Sequence, residues 1–482
     1  MTSSLIDPSF RRSHPSGSLH GQRWLVLGFG RQGRALARWL PRQGASVVVI
    51  DGQTAAALGV DEAVLGAEYP GVRFIFGGPA AADPALLDGA AAVCLSGGVS
   101  PEHALAAEAR ARGLRITNDA QLLLERCPAH TLGITGSAGK TTTTTLVGRM
   151  LETAGFTTWV GGNIGRVLLD DLDAIAADDV AVLELSSFQL ELMTVSTEIA
   201  AVLNITPNHL DRHGTMQAYT EAKARIITGQ GRSGLVVLSR DDAGSRDLAP
   251  RVGERREPGG VAWFSVGDGM VPDGAFMAGR RLMVTGRSTP DGGVHTVCER
   301  EALRLRGEHN LANALAACAI AGAAGVPADA MREVLHTFGG VEHRLEVVAV
   351  REGVLYINDS IATAPERVMA ALKSFHEPIV LLLGGRDKKL PWEDMLRLAQ
   401  ARCRAVVVFG EAAPQIEAAY QAAAQGAVPP LVRAAALDDA VSRARGLARP
   451  GDVVLLSPGA TSYDAYRDFA ERGEHFRRLV NA

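Results

Sequence analysis

The sequence predicts an α/β protein of three domains: a Rossmann-like N-terminal domain, a central P-loop ATPase-like domain with a parallel sheet and a small antiparallel annex, and a C-terminal Rossmann-like α/β domain. Three observations predict it. Short apolar strands alternate with helical stretches along nearly the whole chain, the pattern of parallel sheets covered on both faces. Glycine-rich turns twice follow a strand and open a helix. The 482 residues also exceed one ordinary core, since roughly 150 residues per domain gives about three.

Residues 1–20 are polar, lack the apolar run of a secretory signal and read as a disordered tail. The first domain, 21–128, opens with the strand WLVLG from Trp24, the helix RALARWLPRQG and the strand SVVVID. Apolar runs at FIFGG and AAVCLSGG continue it, and the step Cys127-Pro128 marks its end. The second domain, 129–338, starts with HTLGITG and adds strands at VAVLELSS, IAAVLNIT and GLVVLSR. Between 241 and 305, pieces such as RLMVTG and GGVHTVCE read as hairpins or an antiparallel annex, before the helices NLANALAACAIAGAAG and ADAMREVLHTF. The third domain, 339–482, carries strands at VLYIND, PIVLLLGG, RAVVVFG and DVVLLSP.

Composition excludes several classes of function. Lys and Arg total 49 against 53 Asp and Glu, so no positive field points to nucleic acid. No uncharged stretch reaches the roughly 18 apolar residues of a membrane span. Cys94, Cys127, Cys298, Cys318 and Cys403 form no CxxC pair, which fits neither a zinc site nor a disulfide framework. Free thiols suit a reducing compartment, so a cytoplasmic protein is expected.

The strongest local signal is GITGSAGKTTTTTLVG. A strand ends at Thr135, Gly136-Ser137-Ala138-Gly139 turns, and Lys140-Thr141 open a helix. Glycines let backbone N–H groups approach phosphate oxygens, and the helix start adds partial positive charge. Lys140 would reach the terminal phosphates and the Thr141 hydroxyl would ligate Mg²⁺. The spacing departs from strict GxxxxGK[ST], because Gly133 lies six residues before Gly139. A second turn, Gly28-Phe29-Gly30-Arg31-Gln32-Gly33, follows the first strand, and Asp51 ends the next one, where a ribose-binding acid would sit. That turn fits NAD or any other nucleotide diphosphate. Glu184 ends a strand at the carboxyl edge, a reasonable place for a metal-binding acid. His209 in the loop TPNHLDRHG and Lys223 in YTEAKARI, taken alone, read more readily as solvated side chains.

Taken together and in order, these segments resemble one family, the Mur ligases of peptidoglycan synthesis. The resemblance runs from about residue 22 and is carried by TGSAGKTTT, GGNIG at 161–165, LELSSFQLE, NITPNHLDRH, the Lys223 helix, GEHNLANALAA, VEHRLE, NDSIAT, LLLGGRDK and LSPGATSYDAYRDFAERG. LELSSFQLE and the last segment look most like the members that add D-glutamate to UDP-N-acetylmuramoyl-L-alanine.

The resemblance implies an ATP-dependent ligase working through an acyl phosphate, with Mg²⁺ at two sites. The uridine substrate would lie against Gly30, Arg31, Gln32, Asp51, Asn163, Ser186 and Gln189, with Asn163 toward its acyl end. ATP would be held by Ser137, Ala138, Gly139, Lys140, Thr141 and Thr142, with Asn310 and Asn313 on one face of a helix near the adenine. Thr141, Glu184, His209 and a carbamylated Lys223 would serve the metal, Lys140, Glu184, His209 and Lys223 being the catalytic set. From the third domain Arg344 and Asp359 would reach ATP, and Thr363, Lys388, Ser462, Tyr463 and Phe469 would frame glutamate. The partners implied are small molecules, with no nucleic acid and no membrane insertion, and the chain is expected as a monomer. Closure of the third domain around Phe338–Val341 is expected.

One departure stands out. The family's Asp-Ser-Lys-Ala-Thr-Asn segment is here Asp359-Ser360-Ile361-Ala362-Thr363-Ala364. Ile361 carries no charge, leaving Arg386, Lys389 or Arg367 to supply the cation and leaving L-glutamate open as the alternative substrate. Three other readings explain less. A folylpolyglutamate-type ligase has no leading domain like residues 22–128. An NAD-dependent dehydrogenase would not need Lys140, Glu184 and the third domain. A non-catalytic nucleotide-binding regulator would need no metal set.

Overall fold

Buried parallel strands demand near-continuous runs of Val, Ile and Leu, and three sheets are built from such runs. The computed structural model describes residues 17–231, 234–253, 260–289, 291–305, 307–388, 390–424 and 426–482. Residues 1–16 of the stretch read as a tail, and Lys389, lie outside the described residues.

The first sheet has the order Val72–Phe76, Ser46–Asp51, Arg23–Leu27, Ala90–Leu95 and Arg115–Thr117, all parallel. Its first strand is central, so the chain moves outward on one side and then the other. The resulting crevice at the end of Arg23–Leu27 is where Gly28–Gly33 lies, the position at which such sheets bind ligands.

The second sheet has nine strands. His130–Thr135 lies between Val180–Glu184 and Ile199–Val202, all parallel, so Gly136 and Glu184 emerge side by side at one edge. Leu235–Ser239, Val261–Asp268 and Gly274–Ala278 continue in parallel, and Arg281–Gly286 and Gly292–Glu299 finish the sheet antiparallel. The annex therefore extends the main sheet and is not a separate layer.

The chain divides into two compact units, one ending at Thr337 and the other comprising Phe338–Ala482. The first unit holds both of these sheets over one apolar core. That core runs from Trp24, Leu36 and Trp39 through Leu168 and Leu169 to Leu185 and Val202. Arg38, on the helix Arg31–Arg42, crosses between them with a bidentate pair to Asp170 at 3.0 and 2.6 Å.

The second unit is a six-stranded sheet, ordered Glu346–Arg351, Val354–Asn358, Val453–Gly459, Ile379–Gly384, Cys403–Phe409 and Leu431–Arg433. Only the first pair is antiparallel. Among the described residues no helix is long and apolar enough to cross a membrane. All five cysteines are buried and none is in a disulfide.

Candidate functional site

The turn after His130–Thr135 enters the helix Lys140–Thr153 through Gly139, whose φ is +82°. A Cβ at Gly139 would lie 2.2 Å from Asn313 Oδ1, so the turn favours glycine for its backbone, and any side chain there must displace the end of Asn313. Lys140 Nζ folds back onto the carbonyls of Gly136 (2.8 Å) and Ser137 (3.3 Å). Asn204 grips Ala138 on both sides, accepting from its N–H at 2.9 Å and donating to its carbonyl at 3.1 Å. Ser137 Oγ reaches the Thr206 carbonyl at 2.9 Å and the Tyr219 hydroxyl at 3.0 Å. Thr142 follows on the helix, half-buried. The first N–H groups of any helix lack partners within it, so the start of this helix is a position where an anion can be received.

Glu184, 2% exposed, stands beside it. One carboxylate oxygen accepts from Thr141 Oγ1 at 2.8 Å and the other from Asn163 Nδ2 at 2.9 Å. Lys223 is 1% exposed. Its Nζ donates to the Gly136 carbonyl at 2.9 Å and lies 4.7 Å from the centre of the Tyr219 ring. Burial, reinforced by the nearby charge of Lys140 and opposed by Glu184, pushes the Lys223 ammonium down to about 6. The solvated reading of this lysine does not hold, because its side chain is inside. His209 is exposed, begins the helix Leu210–His213 with φ of +52°, and sets its ring 5.0 Å from that of Phe188. Asn313 Nδ2 donates to Asn310 Oδ1 at 3.2 Å, so the two amides share a helix face as their spacing predicts.

The first turn is put together differently. A Cβ on Gly33 would fall 1.9 Å from the Gly28 carbonyl oxygen, so helix and strand close on one another only with glycine there. Gly30 precedes the helix as its cap. Asp51 accepts from the Phe29 N–H at 2.8 Å and the Gln53 N–H at 2.9 Å, which orders the turn. Gln32 packs beside Gly97. Arg31 points to the second sheet and donates to the carbonyls of Asn163 (2.7 Å), Gly165 (2.9 Å) and Gly162 (3.5 Å). Ser186 and Gln189 form a reciprocal capping box. Gln189, 1% exposed, also reaches Asp119 at 3.4 Å.

In the second unit, Asn358, Asp359 and Ser360 end a central strand and tie three loops together. Asp359 accepts from the Leu345 N–H at 3.2 Å and Ser457 Oγ at 2.8 Å, and burial pushes its carboxyl up to about 7. That holds a turn in which His343 and Leu345, flanking Arg344, both have positive φ (61° and 45°). Lys388 Nζ donates to Thr363 Oγ1 at 3.2 Å, and burial followed by the charge of Arg367 lowers its ammonium. Ser462 is buried and Tyr463 is 62% exposed; Phe469 starts the last helix, half-buried, with its ring edge toward His343. Of the three cations considered beside Ile361, Arg367 donates to the Ile361 carbonyl at 3.4 Å, whereas Arg386 is paired with Glu411 at 2.8 Å.

The family model described as Mur ligase middle domain matches residues 134–321, and the one described as Mur ligase, glutamate ligase domain matches 343–459. A UDP-N-acetylmuramoylalanine--D-glutamate ligase of Symbiobacterium thermophilum is 41% identical over 474 residues, covering 96% of this chain and 98% of that protein. The protein of the same name from Roseiflexus sp. is 41% identical over 478 residues, covering 96% and 99%. The chain is a Mur ligase.

Solved Mur ligases share its fold at low identity. A UDP-N-acetylmuramate-alanine ligase from Thermotoga maritima superposes with a TM-score of 0.53 at 18% identity, covering 95% of this chain and 99% of that one. In this Mur ligase the oxygens of Thr141 and Glu184 lie 2.8 Å apart. That is close to the roughly 2.9 Å edge of an octahedron with Mg²⁺–oxygen bonds of about 2.0–2.1 Å. Among the described residues no group of three or more His, Cys, Asp or Glu is placed to hold a metal. A hydroxyl, one carboxylate and nucleotide phosphate oxygens are the donor set that suits Mg²⁺ at a nucleotide site.

Sequence reasoning missed Asn204, which lies in NITPNH beside the residues it did single out. It also missed Arg472 of the last helix, fully buried. The Arg472 guanidinium donates to Ser360 Oγ and to the carbonyls of Ser360, Gly384 and Ala460. An arginine in a polar helical stretch gives no signal that it is buried.

Proposed function

We propose that this Mur ligase uses ATP to join D-glutamate to UDP-N-acetylmuramoyl-L-alanine, a step of peptidoglycan precursor synthesis, as a cytoplasmic monomer. The single observation that carries the reading is the phosphate cradle at Gly136–Lys140 with the Thr141 hydroxyl against the buried Glu184 carboxylate. Relatives about 40% identical over nearly their whole length, named for this reaction, support the choice of substrates.

In the proposed mechanism the cradle and Lys140 hold the triphosphate, and Asn310 and Asn313 line the adenine side. The alanyl carboxylate of the substrate attacks the γ-phosphorus, the bond to the β-phosphate oxygen breaks, and ADP leaves. Carboxylates acylate poorly, and phosphate converts the oxygen into a leaving group. Lys140 offsets charge on the transferring oxygens. The neutral glutamate amine then attacks the acyl carbon, phosphate departs with the C–O electron pair, and the nitrogen loses a proton. Thr141, Glu184, His209 and Lys223 would hold Mg²⁺ at two positions, supplying charge neutralisation on the phosphates. Lys223 is suited to become a carbamate, because addition of CO₂ needs a neutral amine. Its nitrogen bonds carbon and releases one proton, leaving an anionic oxygen ligand.

Arg344 and Asp359 complete the nucleotide side, and Thr363, Lys388, Ser462, Tyr463 and Phe469 frame glutamate, with Arg367 as the cation beside Ile361. The uridine nucleotide lies against Gly30, Gln32 and Asp51. Asn163, Ser186 and Gln189 complete the uridine-substrate site, Asn163 toward the acyl end. Domains 21–128, 129–338 and 339–482 carry the uridine, ATP and glutamate sites, with a hinge at Phe338–Val341.

The test supplies ATP, Mg²⁺, UDP-N-acetylmuramoyl-L-alanine and either glutamate isomer, following phosphate release and product mass. Turnover with D-glutamate is expected. Release with neither isomer removes the assignment, and preference for L-glutamate reassigns the substrate. Lys223→Ala should be inactive and regain activity with a short-chain carboxylic acid; full activity without rescue removes the carbamate.

A further inference from the structure

Arg31 belongs to the uridine-side turn, yet its guanidinium is spent on the second sheet. It donates to three carbonyls where the strand Thr158–Gly162 passes into a loop, those of Asn163, Gly165 and Gly162. That loop sits directly on Glu184. Gly162 has φ of +97°, and a Cβ there would fall 2.5 Å from the Glu184 carbonyl oxygen. The Asn163 N–H donates to the same carbonyl at 2.8 Å, and Asn163 Nδ2 donates to Glu184 Oε1 at 2.9 Å. The opposite oxygen, Oε2, receives the Thr141 hydroxyl at 2.8 Å. An unbroken line of hydrogen bonds therefore runs from the Gly28–Gly33 turn through Arg31, Asn163 and Glu184 to Thr141.

We infer that Arg31 is a positioning residue linking the uridine-side turn to the Mg²⁺–nucleotide carboxylate, and not chiefly a contact to the uridine nucleotide. The inference rests on the reading that Thr141 and Glu184 serve the metal. Its chemistry is that of a charged fork on fixed dipoles. Three carbonyls at one guanidinium are charge-assisted acceptors, and they hold Asn163 where its amide fixes the rotation of the Glu184 carboxyl. A partner behind a metal ligand sets that ligand's orientation and therefore the affinity of the metal. The link also runs the other way: anything that orders the Gly28–Gly33 turn, a bound diphosphate above all, steadies Arg31 and through it the carboxylate. Phosphoryl transfer is thereby favoured when both nucleotides are in place.

Arg31 is exposed, so Arg31→Met and Arg31→Lys should fold, and thermal melting checks that they do. Two measurements then separate the alternatives. Calorimetric titration with ADP, with and without Mg²⁺, reads the metal's contribution without any turnover; steady-state ligation reads kcat and KM. In Arg31→Met the gain in ADP affinity brought by Mg²⁺ should shrink by about tenfold, with a similar fall in kcat. KM for UDP-N-acetylmuramoyl-L-alanine should stay within about twofold. Arg31→Lys should recover part of both losses, because an ammonium still reaches one or two of the carbonyls. A raised KM with kcat and the Mg²⁺ gain intact overturns the inference in favour of a direct substrate contact. No change in any of the three overturns it outright. Wild-type protein that neither binds ADP with Mg²⁺ nor releases phosphate in the presence of substrate sinks the proposed function as well, and is recognised before any variant is examined.

Discussion

At Gly28–Gly33 and again at Gly136–Lys140 a buried parallel strand passes through glycines into a helix, so by backbone chemistry the two turns are alternatives for the same job. Their surroundings separate them. The first has an acid, Asp51, accepting from the Phe29 N–H of the turn, and closes helix against strand at Gly33. The second gathers nitrogen donors: the Lys140 ammonium and the desolvated Lys223 amine both donate to the Gly136 carbonyl, and the nearest acid, Glu184, is turned to a hydroxyl. One turn is finished as a rigid shelf and the other as a charged cradle. Phosphate binding by backbone alone needs only the shelf, whereas transfer of a phosphoryl group needs charge on the moving oxygens.

The largest expected effect breaks the cradle's chemistry. Lys140→Ala should lower substrate-dependent phosphate release by about 10³-fold or more while leaving the melting temperature close to wild type. Turnover near the wild-type rate would abolish the distinction between the turns.

An intermediate effect contrasts the glycines. In Gly33→Ala the new methyl meets a backbone oxygen at 1.9 Å with nothing free to move, and a loss of about 4 kcal/mol or failure to fold is expected. In Gly139→Ala it meets the end of the Asn313 side chain, which can rotate, leaving mainly the left-handed backbone cost of about 1–2 kcal/mol. Urea denaturation should rank them in that order, and equal losses would contradict the rigid-shelf description.

The smallest effect concerns the joint between the two sheets. Asp119 is buried, bonded to Gln189, and burial raises its carboxyl from 3.8 to about 6. The folded state therefore keeps a proton between about pH 4 and 6 that the unfolded chain has lost, so this group's contribution to stability falls as pH rises through that window. Asp119→Asn should be more stable than wild type by on the order of 1 kcal/mol at pH 8, the difference closing toward pH 4. Thermal melts across pH check it, and a gap that does not change with pH would show that the carboxyl titrates alike in the folded and unfolded chains.

Much of this was legible beforehand. The strands at Trp24, Val180 and Ile379 declare themselves as apolar runs, and the helix after Lys140 follows from Gly139 and the threonines. The face shared by Asn310 and Asn313 is set by helical period. What was not legible is where long side chains go. Arg31 reads as a contact in its own turn, but its long, flexible side chain carries the guanidinium to the next sheet. Lys223 reads as a surface lysine, but its helix lies over the cradle. Gln189 reads as a site residue, and much of its amide is occupied in capping its own helix and holding Asp119. The hub of Asn358, Ser360 and Arg472 joins residues more than a hundred positions apart, a pairing no local pattern encodes.

By itself the sequence determined the alternation of strands and helices, the two glycine turns and the family, because those depend on periodicity and on residue types at fixed spacing. The tertiary structure alone decided which acid faces the cradle, which lysine is desolvated and which arginine bridges the sheets. Burial and hydrogen-bond partners are properties of neighbours in space, and the chain brings those neighbours together only when it folds.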